Sequence, residues 1–158
     1  MTQQEYYNTL FSGIDICKKP FIEFFSLDGI AILPLKRPDD ASLIDLRLSK
    51  AVTVGKKNSY LVDTHLTIST SVQNWIYLRG YSGKAPNLSG ESIKIKPKTF
   101  SPGLDKRPLK VYLVNDSDKD ITLVRGDFIG TFVCYTLKKI EWNREPCETR
   151  LINHVTFE

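Results

Sequence analysis

Residues 115–133 read Asn115-Asp-Ser-Asp-Lys-Asp-Ile-Thr-Leu-Val-Arg-Gly-Asp-Phe-Ile-Gly-Thr-Phe-Val133. The stretch begins with a polar turn, continues into a short apolar run and, after an Arg-Gly-Asp tripeptide, enters a second apolar run. Turns rich in Asn, Asp, Ser and Gly between apolar runs are typical of antiparallel β structure. The stretch therefore predicts two β-strands, each preceded by a turn.

The same alternation of apolar runs and turns continues on the N-terminal side. On that side the predicted strands cover residues 29–35, 44–48, 60–68, 75–78, 92–96 and 109–114, and the second strand of the opening stretch covers residues 129–135. Clusters of Gly, Pro, Asn and Asp separate these runs. Many short strands at this spacing indicate an all-β barrel or sandwich rather than alternating strands and helices.

The chain of 158 residues has the length of one domain. Residues 1–28 are mixed in character, and we expect them to form a short helical or irregular arm. Residues 29–137 carry the β pattern and are expected to form the barrel. Residues 138–158 are more polar and are expected to form a tail that could pair with a neighbouring subunit.

Composition is that of a water-soluble globular protein and excludes few functions. The hydrophobic fraction is 41% and the net charge is +4, with acidic and basic residues interleaved. Cys17, Cys134 and Cys147 include no C-x-x-C pair, and His65 and His154 do not cluster with them. This spacing does not match a zinc site, so no metal ligands are predicted.

The sequence also bears on location. Its first residues lack a basic start followed by an apolar segment, and no apolar run approaches the length of a membrane span. We therefore expect a protein that is not secreted and not in a membrane, located inside a cell or in a virion.

The opening stretch resembles the fourth sequence motif of the trimeric dUTPase family, in which Asn-x-Ser is followed by a short strand and then Gly-Asp-Arg-Ile-Ala-Gln-Leu. The matching residues are Asn115, Ser117, Gly126 and Asp127. Phe128 replaces the arginine of the motif, and Thr131 replaces its glutamine. The resemblance covers about residues 29–136 and implies a dUTPase-like distorted jelly roll or β-barrel that forms a homotrimer.

The N-terminal part of the resemblance is weaker. Asp45 and Leu46 match the end of the first family motif, Ala-Gly-Tyr-Asp-Leu. Further on, His65 replaces the glycine of a Leu-Val-x-Thr-Gly-Leu segment. A side chain there would be costly if the position requires a positive φ.

The residues that carry the family's chemistry are mostly replaced. In the second motif, Pro-Arg-Ser-Gly, Tyr81 takes the place of the phosphate-binding arginine, and Ser82 and Gly83 remain. In the third motif, Pro102 takes the place of the aspartate that activates water, and Asp105 that of the sugar-stacking tyrosine. The Gly-rich fifth motif is absent, since no glycine follows Gly130.

These replacements predict a protein without dUTPase activity, because proline cannot act as a general base. The first hypothesis is a homotrimeric binding or structural module of viral origin, without a cofactor. It would bind a protein partner through an aromatic surface comprising Trp75, Tyr77 and Tyr81, together with Arg79.

Two alternatives remain open. One is a divergent nucleoside triphosphate hydrolase or nucleotide sensor that uses magnesium in a rebuilt pocket. The residues of that pocket would be Asp45, Arg79, Ser82, Gly83, Asp105 and Asp127. The other is nucleic-acid binding through short basic runs, such as Lys36-Arg37 and Lys94 to Lys98. Nucleic acid is not the expected partner, because these runs are short and scattered along the chain.

Overall fold

The structure is a computed structural model that describes residues 20–26, 28–71, 73–81, 93–138, 141–144, 146 and 148–153. It contains thirteen β-strands and no helix within these residues. The strands are β1 Phe21–Ser26, β2 Leu35–Lys36, β3 Leu43–Arg47, β4 Val52–Val54, β5 Ser59–Thr70, β6 Asn74–Arg79, β7 Ile93–Ile95, β8 Lys98–Phe100, β9 Arg107–Asn115, β10 Ile121–Leu123, β11 Phe128–Lys138, β12 Glu141–Arg144 and β13 Glu148–Asn153. The all-β prediction is confirmed.

Two larger sheets and one small sheet make up the fold. One larger sheet has the strand order β13-β1-β5-β9-β7, and the other has the order β2-β3-β11-β6-β8, with β12 paired to β11. Strands β4 and β10 form a separate two-stranded sheet. Both larger sheets end in edge strands within the described residues, so they form a jelly roll of open sheets. The prediction of a barrel is wrong in this respect.

The core lies between the two larger sheets. Strand β9 alternates strictly, with Leu109, Val111 and Leu113 buried and the residues between them more exposed. Phe24 from one sheet meets Phe132 from the other, with ring centroids 5.2 Å apart. Period-two alternation thus places one face of each sheet in the core, as the sequence pattern predicts.

Part of the segment that was predicted as an N-terminal arm is a strand. Residues Phe21–Ser26 form β1, which pairs antiparallel with β5 and lies inside the larger sheet. Ile22 and Phe24 on this strand are fully buried. The expected helix lies outside the described residues, as do residues 1–19.

The predicted tail also contributes to the sheets. Strand β12 extends β11 as a hairpin, and β13 pairs parallel with β1 of the same chain. Exchange of this tail between subunits stays a prediction, since one chain is described. The strand predicted over residues 29–35 is also largely wrong: only Leu35–Lys36 is a strand, and Ala31 and Leu33 pack on the core from a loop.

Candidate functional site

Three strands bring the first, second and fourth motif positions together. Strand β11 lies between β3 and β6, so that Thr131 is directly opposite Asp45 on one side and Arg79 on the other. Directly paired residues point to the same face of a sheet. The candidate site is therefore a patch on the outer face of this sheet.

Asp45 is the centre of the patch, and its carboxylate accepts three hydrogen bonds. Arg37 donates to both carboxylate oxygens, from Nε and from one terminal nitrogen, each at 2.8 Å. The Thr131 hydroxyl donates to Oδ1 at 2.9 Å. The side chain of Asp45 is only 8% exposed. Hydrogen bonding to Asp45 raises the pKa of Arg37, as expected for a bidentate ion pair.

Aromatic rings occupy the two positions at which the family has arginines. Tyr81 and Phe128 stack with ring centroids 4.9 Å apart and an interplanar angle of 11°. The guanidinium carbon of Arg37 lies 5.3 Å from the centroid of the Tyr81 ring. The replacement residues therefore contact one another, and Arg37 links the aromatic pair to Asp45.

The third-motif region forms an irregular connection between β8 and β9, and β5 anchors it. Thr70 donates from its backbone nitrogen to the Gly103 carbonyl at 2.7 Å, and its hydroxyl accepts from the Gly103 nitrogen at 3.0 Å. Pro102, in the base position, is partly buried, and Asp105 is exposed. Asp105 forms no hydrogen bond or ion pair with the described residues. The structure therefore does not bring Asp105 into contact with the Asp45 patch.

Asp127 holds a turn through its side chain. Its carboxylate accepts from the backbone nitrogen of Val124 at 2.9 Å, and the side chain is buried. Gly126 within this turn has a φ of +93°, which glycine adopts without strain. Leu48 exchanges backbone hydrogen bonds with Gly126 and Asp127. The retained Gly-Asp pair thus fixes the turn to the end of β3.

Asn115 and Ser117 have the same structural role one turn earlier. The fully buried Asn115 amide donates to the carbonyls of Val54 and Lys119, at 2.9 and 2.7 Å. Its oxygen accepts from the backbone nitrogen and hydroxyl of Ser117, at 2.9 and 2.7 Å. The residues retained from the fourth motif therefore stabilise turns. The replaced residues of the same motif, Phe128 and Thr131, are the ones that lie on the patch.

Comparison with solved structures finds dUTPases. The dUTPase of Staphylococcus bacteriophage 80alpha aligns with a TM-score of 0.63 at 14% identity, over 78% of this chain and 87% of that one. A mutant dUTPase from phage phi11 of S. aureus aligns with a TM-score of 0.62 at 13% identity, over 78% and 95%. The EIAV dUTPase aligns with a TM-score of 0.56 at 13% identity, over 79% and 94%.

The chain has the dUTPase fold. No protein-family model matches the sequence, and no curated protein matches it either. The chain is 13–14% identical to the dUTPases named above, and a likeness at that level of identity shows the architecture alone. The sequence prediction of a dUTPase-like jelly roll is confirmed.

The predicted pocket of this dUTPase-fold chain is only partly brought together. Of its residues, Asp45 and Arg79 lie on the patch, whereas Asp105 and Asp127 do not contribute to it. Ser82 and Gly83 lie outside the described residues. The half-buried Arg79 has its Nε buried without a hydrogen-bond partner among the described residues.

The predicted aromatic surface is half-buried rather than open. Trp75 stacks on Tyr135 of β11, with centroids 4.4 Å apart and an interplanar angle of 11°. Tyr77 is opposite the buried Val133. Both side chains therefore cover the outer face of the sheet, and part of each remains accessible.

The alternative hydrolase hypothesis uses magnesium, which keeps several waters and is held by one or two carboxylates together with substrate phosphates. The Asp45 oxygens already accept three hydrogen bonds, two of them from a cation. No group of three His, Cys, Asp or Glu side chains in the described residues is arranged to hold a metal.

Arg37 is the residue that sequence reasoning missed. It appeared only as part of a short basic run. The β2–β3 pairing and a 3.0 Å hydrogen bond from the Arg37 nitrogen to the Leu43 carbonyl bring it back over Asp45. A hairpin prediction could have found this pair. Arg37 precedes Asp45 by eight positions, and Pro38 to Asp40 between them are typical turn residues.

Separately, no helix that could cross a bilayer is present in the part of the chain that the structure describes.

Proposed function

We propose that this chain is a non-catalytic protein with the dUTPase fold that acts as a homotrimeric binding or structural module of viral origin. One observation carries the proposal: Arg37, Asp45, Tyr81, Phe128 and Thr131 contact one another, and all of them except Arg37 stand at positions of the motifs that the sequence resemblance associates with the family's pocket. A nucleotide would have to displace a buried bidentate ion pair and an aromatic stack.

The chemistry of the third motif supports the same proposal. Pro102 has no ionisable group, so it cannot accept a proton from water. Loss of a general base alone typically costs about a hundredfold to ten-thousandfold in rate. Phosphate binding is weakened as well, because neither Tyr81 nor Phe128 carries the charge of an arginine.

The similar structures support a binding role and a viral source. They include proteins of bacteriophages and of EIAV. The 80alpha work describes phage dUTPases that control transfer of virulence genes by a proto-oncogenic G protein-like mechanism. The fold can thus serve regulation, and we extend that use to this chain.

Nucleotide binding and turnover test the proposal directly. The protein is incubated with dUTP and Mg²⁺, and pyrophosphate release and the melting temperature are measured. A ligand at a hundredfold excess over Kd stabilises by about 2.7 kcal/mol, a shift of about 5 to 10 °C for a chain of this size. We expect no shift and no pyrophosphate above the rate in buffer.

Asp105→Asn serves as the matched control. Pyrophosphate release by the parent that disappears in this variant would establish the hydrolase alternative and overturn the proposal. A melting shift with dUTP but without turnover would instead identify a nucleotide sensor, which also contradicts a filled pocket.

A further inference from the structure

A cationic cleft lies at the opposite larger sheet, between the outer face of β5 and β9 and the connection from β7 to β8. Its volume is about 390 Å³, within the range of small-ligand sites. Its walls include the side chains of Leu61, Lys96, Pro97, Lys98, Lys110 and Tyr112. We refer to this surface as the lysine cleft.

Strand pairing explains why separate basic runs meet there. Leu61 of β5 is directly opposite Tyr112 of β9. Lys110 precedes Tyr112 by two residues and therefore shares its face. The Lys96 nitrogen donates to the Tyr112 carbonyl at 2.9 Å, which holds the β7–β8 connection beside the ring.

The charge of the lysine cleft is poorly compensated. Lys96, Lys98 and Lys110 are all exposed, and none forms an ion pair within the described residues. The nearest acidic residue in the strand register is Asp63, opposite Lys110. The Asp63 carboxylate accepts a hydrogen bond from the His65 nitrogen at 2.9 Å. Three lysines thus line a cleft that has no Asp or Glu in its walls.

An aromatic platform lies among these charges. Tyr112 is 45% exposed and Leu61 is 44% exposed, so a flat apolar surface faces solvent. The Lys96 Nζ lies 5.8 Å from the Tyr112 ring centroid. An exposed ring flanked by cations is the combination that stacks a base and pairs with the phosphates on either side of it.

We propose that the lysine cleft binds single-stranded nucleic acid, with one base stacked on Tyr112 and neighbouring phosphates on Lys96, Lys98 and Lys110. A lysine pairs with the phosphate of any nucleotide, and a tyrosine ring stacks on any base, so we expect binding with little dependence on sequence. A strand fits better than a free nucleotide, because Lys94, on the same face of β7, lies where a strand could continue. The proposal reverses the sequence-based expectation, which treated the basic runs separately, and it is independent of the proposed function.

Fluorescence anisotropy with labelled twelve-nucleotide oligo-dT and oligo-U, in low salt, tests the proposal. With about three phosphates neutralised, the logarithm of the association constant should fall with the logarithm of salt concentration with a slope of about −2. The triple variant Lys96→Ala/Lys98→Ala/Lys110→Ala should bind at least tenfold more weakly. Tyr112→Ala should lose about fivefold to a hundredfold, and Tyr112→Phe should bind like the parent.

The matched control removes the same charge elsewhere. Lys50, Lys56 and Lys119 are exposed and do not line the cleft, so changing all three to Ala should leave affinity within about twofold. All substituted side chains are exposed, and melting curves verify that each variant is folded.

Four outcomes would overturn the proposal. Equal loss in the control triple would mean diffuse charge attraction rather than a site. Absence of binding by the parent at low salt would remove the site altogether. If polyglutamate displaced the labelled oligonucleotide as well as unlabelled oligonucleotide does, the cleft would be a surface for acidic polypeptides. If dTMP did so at the same concentration of nucleotide, the cleft would be a mononucleotide site.

Discussion

At the scale of single residues, the Asp45 patch behaves as a set of substitutions that depend on one another. Thr131 gives Asp45 a hydrogen bond, and Phe128 gives Tyr81 a stacking partner. Arg37 joins the two pairs. A single reversion toward the family pattern would leave a charge or a ring without its partner.

Asp45→Asn should therefore destabilise the fold. Removing one member of a buried ion pair leaves the other charge uncompensated, at a cost of about 3 to 5 kcal/mol. We expect a loss near the lower end, because the Arg37 side chain is 19% exposed. Urea unfolding measures the loss, with the exposed Asp105→Asn as control. Equal stability of both variants would show that the ion pair contributes nothing.

The backbone conformation of His65 bears on a second expectation, that a side chain at this position is strained. Its φ is 59°, in the left-handed region, so the sequence-based concern about a glycine replacement is confirmed. The strained backbone is accompanied by contacts to Asp63 and to Asp28, whose Oδ2 lies 3.1 Å from the His65 Nδ1. A left-handed non-glycine residue costs about 1 to 2 kcal/mol.

Two variants of His65 distinguish the energetic cost of its left-handed backbone from the contribution of its contact with Asp28. His65→Ala and His65→Gly both lose the Asp28 contact, but only glycine relieves the strain. His65→Gly should therefore be more stable than His65→Ala by about 1 kcal/mol. Differential scanning calorimetry or urea titration can resolve this gap, and indistinguishable variants would argue against strain at this position.

At the scale of elements, the two chain segments that sequence analysis left outside the β domain complete one of its sheets. Strand β1 lies between β5 and β13, and its pairing with β13 is parallel over six positions. The pattern of Phe21–Ser26 is too short and too aromatic-rich to separate a strand from an arm. The partner strand, more than a hundred residues later, decides it.

A disulfide across this parallel pair tests whether the tail stays with its own chain. Glu23 is directly opposite Arg150, and neighbouring strands lie about 4.8 Å apart, close enough for a disulfide. Glu23→Cys/Arg150→Cys, in a background with Cys17 and Cys147 changed to Ser, should oxidise within one chain. Covalent oligomers on a non-reducing gel would instead establish tail exchange.

At the scale of the whole molecule, the proposed trimer is the property most easily measured. Several large apolar side chains are exposed in the single chain, among them Ile30, Leu35 and Val124. An assembly that covered some of them would gain about 25 cal/mol per Å² of apolar surface buried. Light scattering on a sizing column should therefore give three times the 18.0 kDa of one chain, and a monomer mass at micromolar concentration would contradict the trimer.

The sequence by itself determined the all-β class and the turns at Asn115 and Gly126. Those features follow from local rules, because turn chemistry and period-two alternation act over a few residues. It also identified Asp45 and Tyr81 as residues to compare with the first and second motifs of the dUTPase family.

Only the tertiary structure decided what those positions do. Arg37 reaches Asp45 through a hairpin, Tyr81 meets Phe128 from another strand, and three lysines from different strands meet around Tyr112. Each of these contacts joins residues whose distance is set by strand register and sheet order. Such pairings are fixed by burial of the whole core, so no short stretch of the chain specifies them.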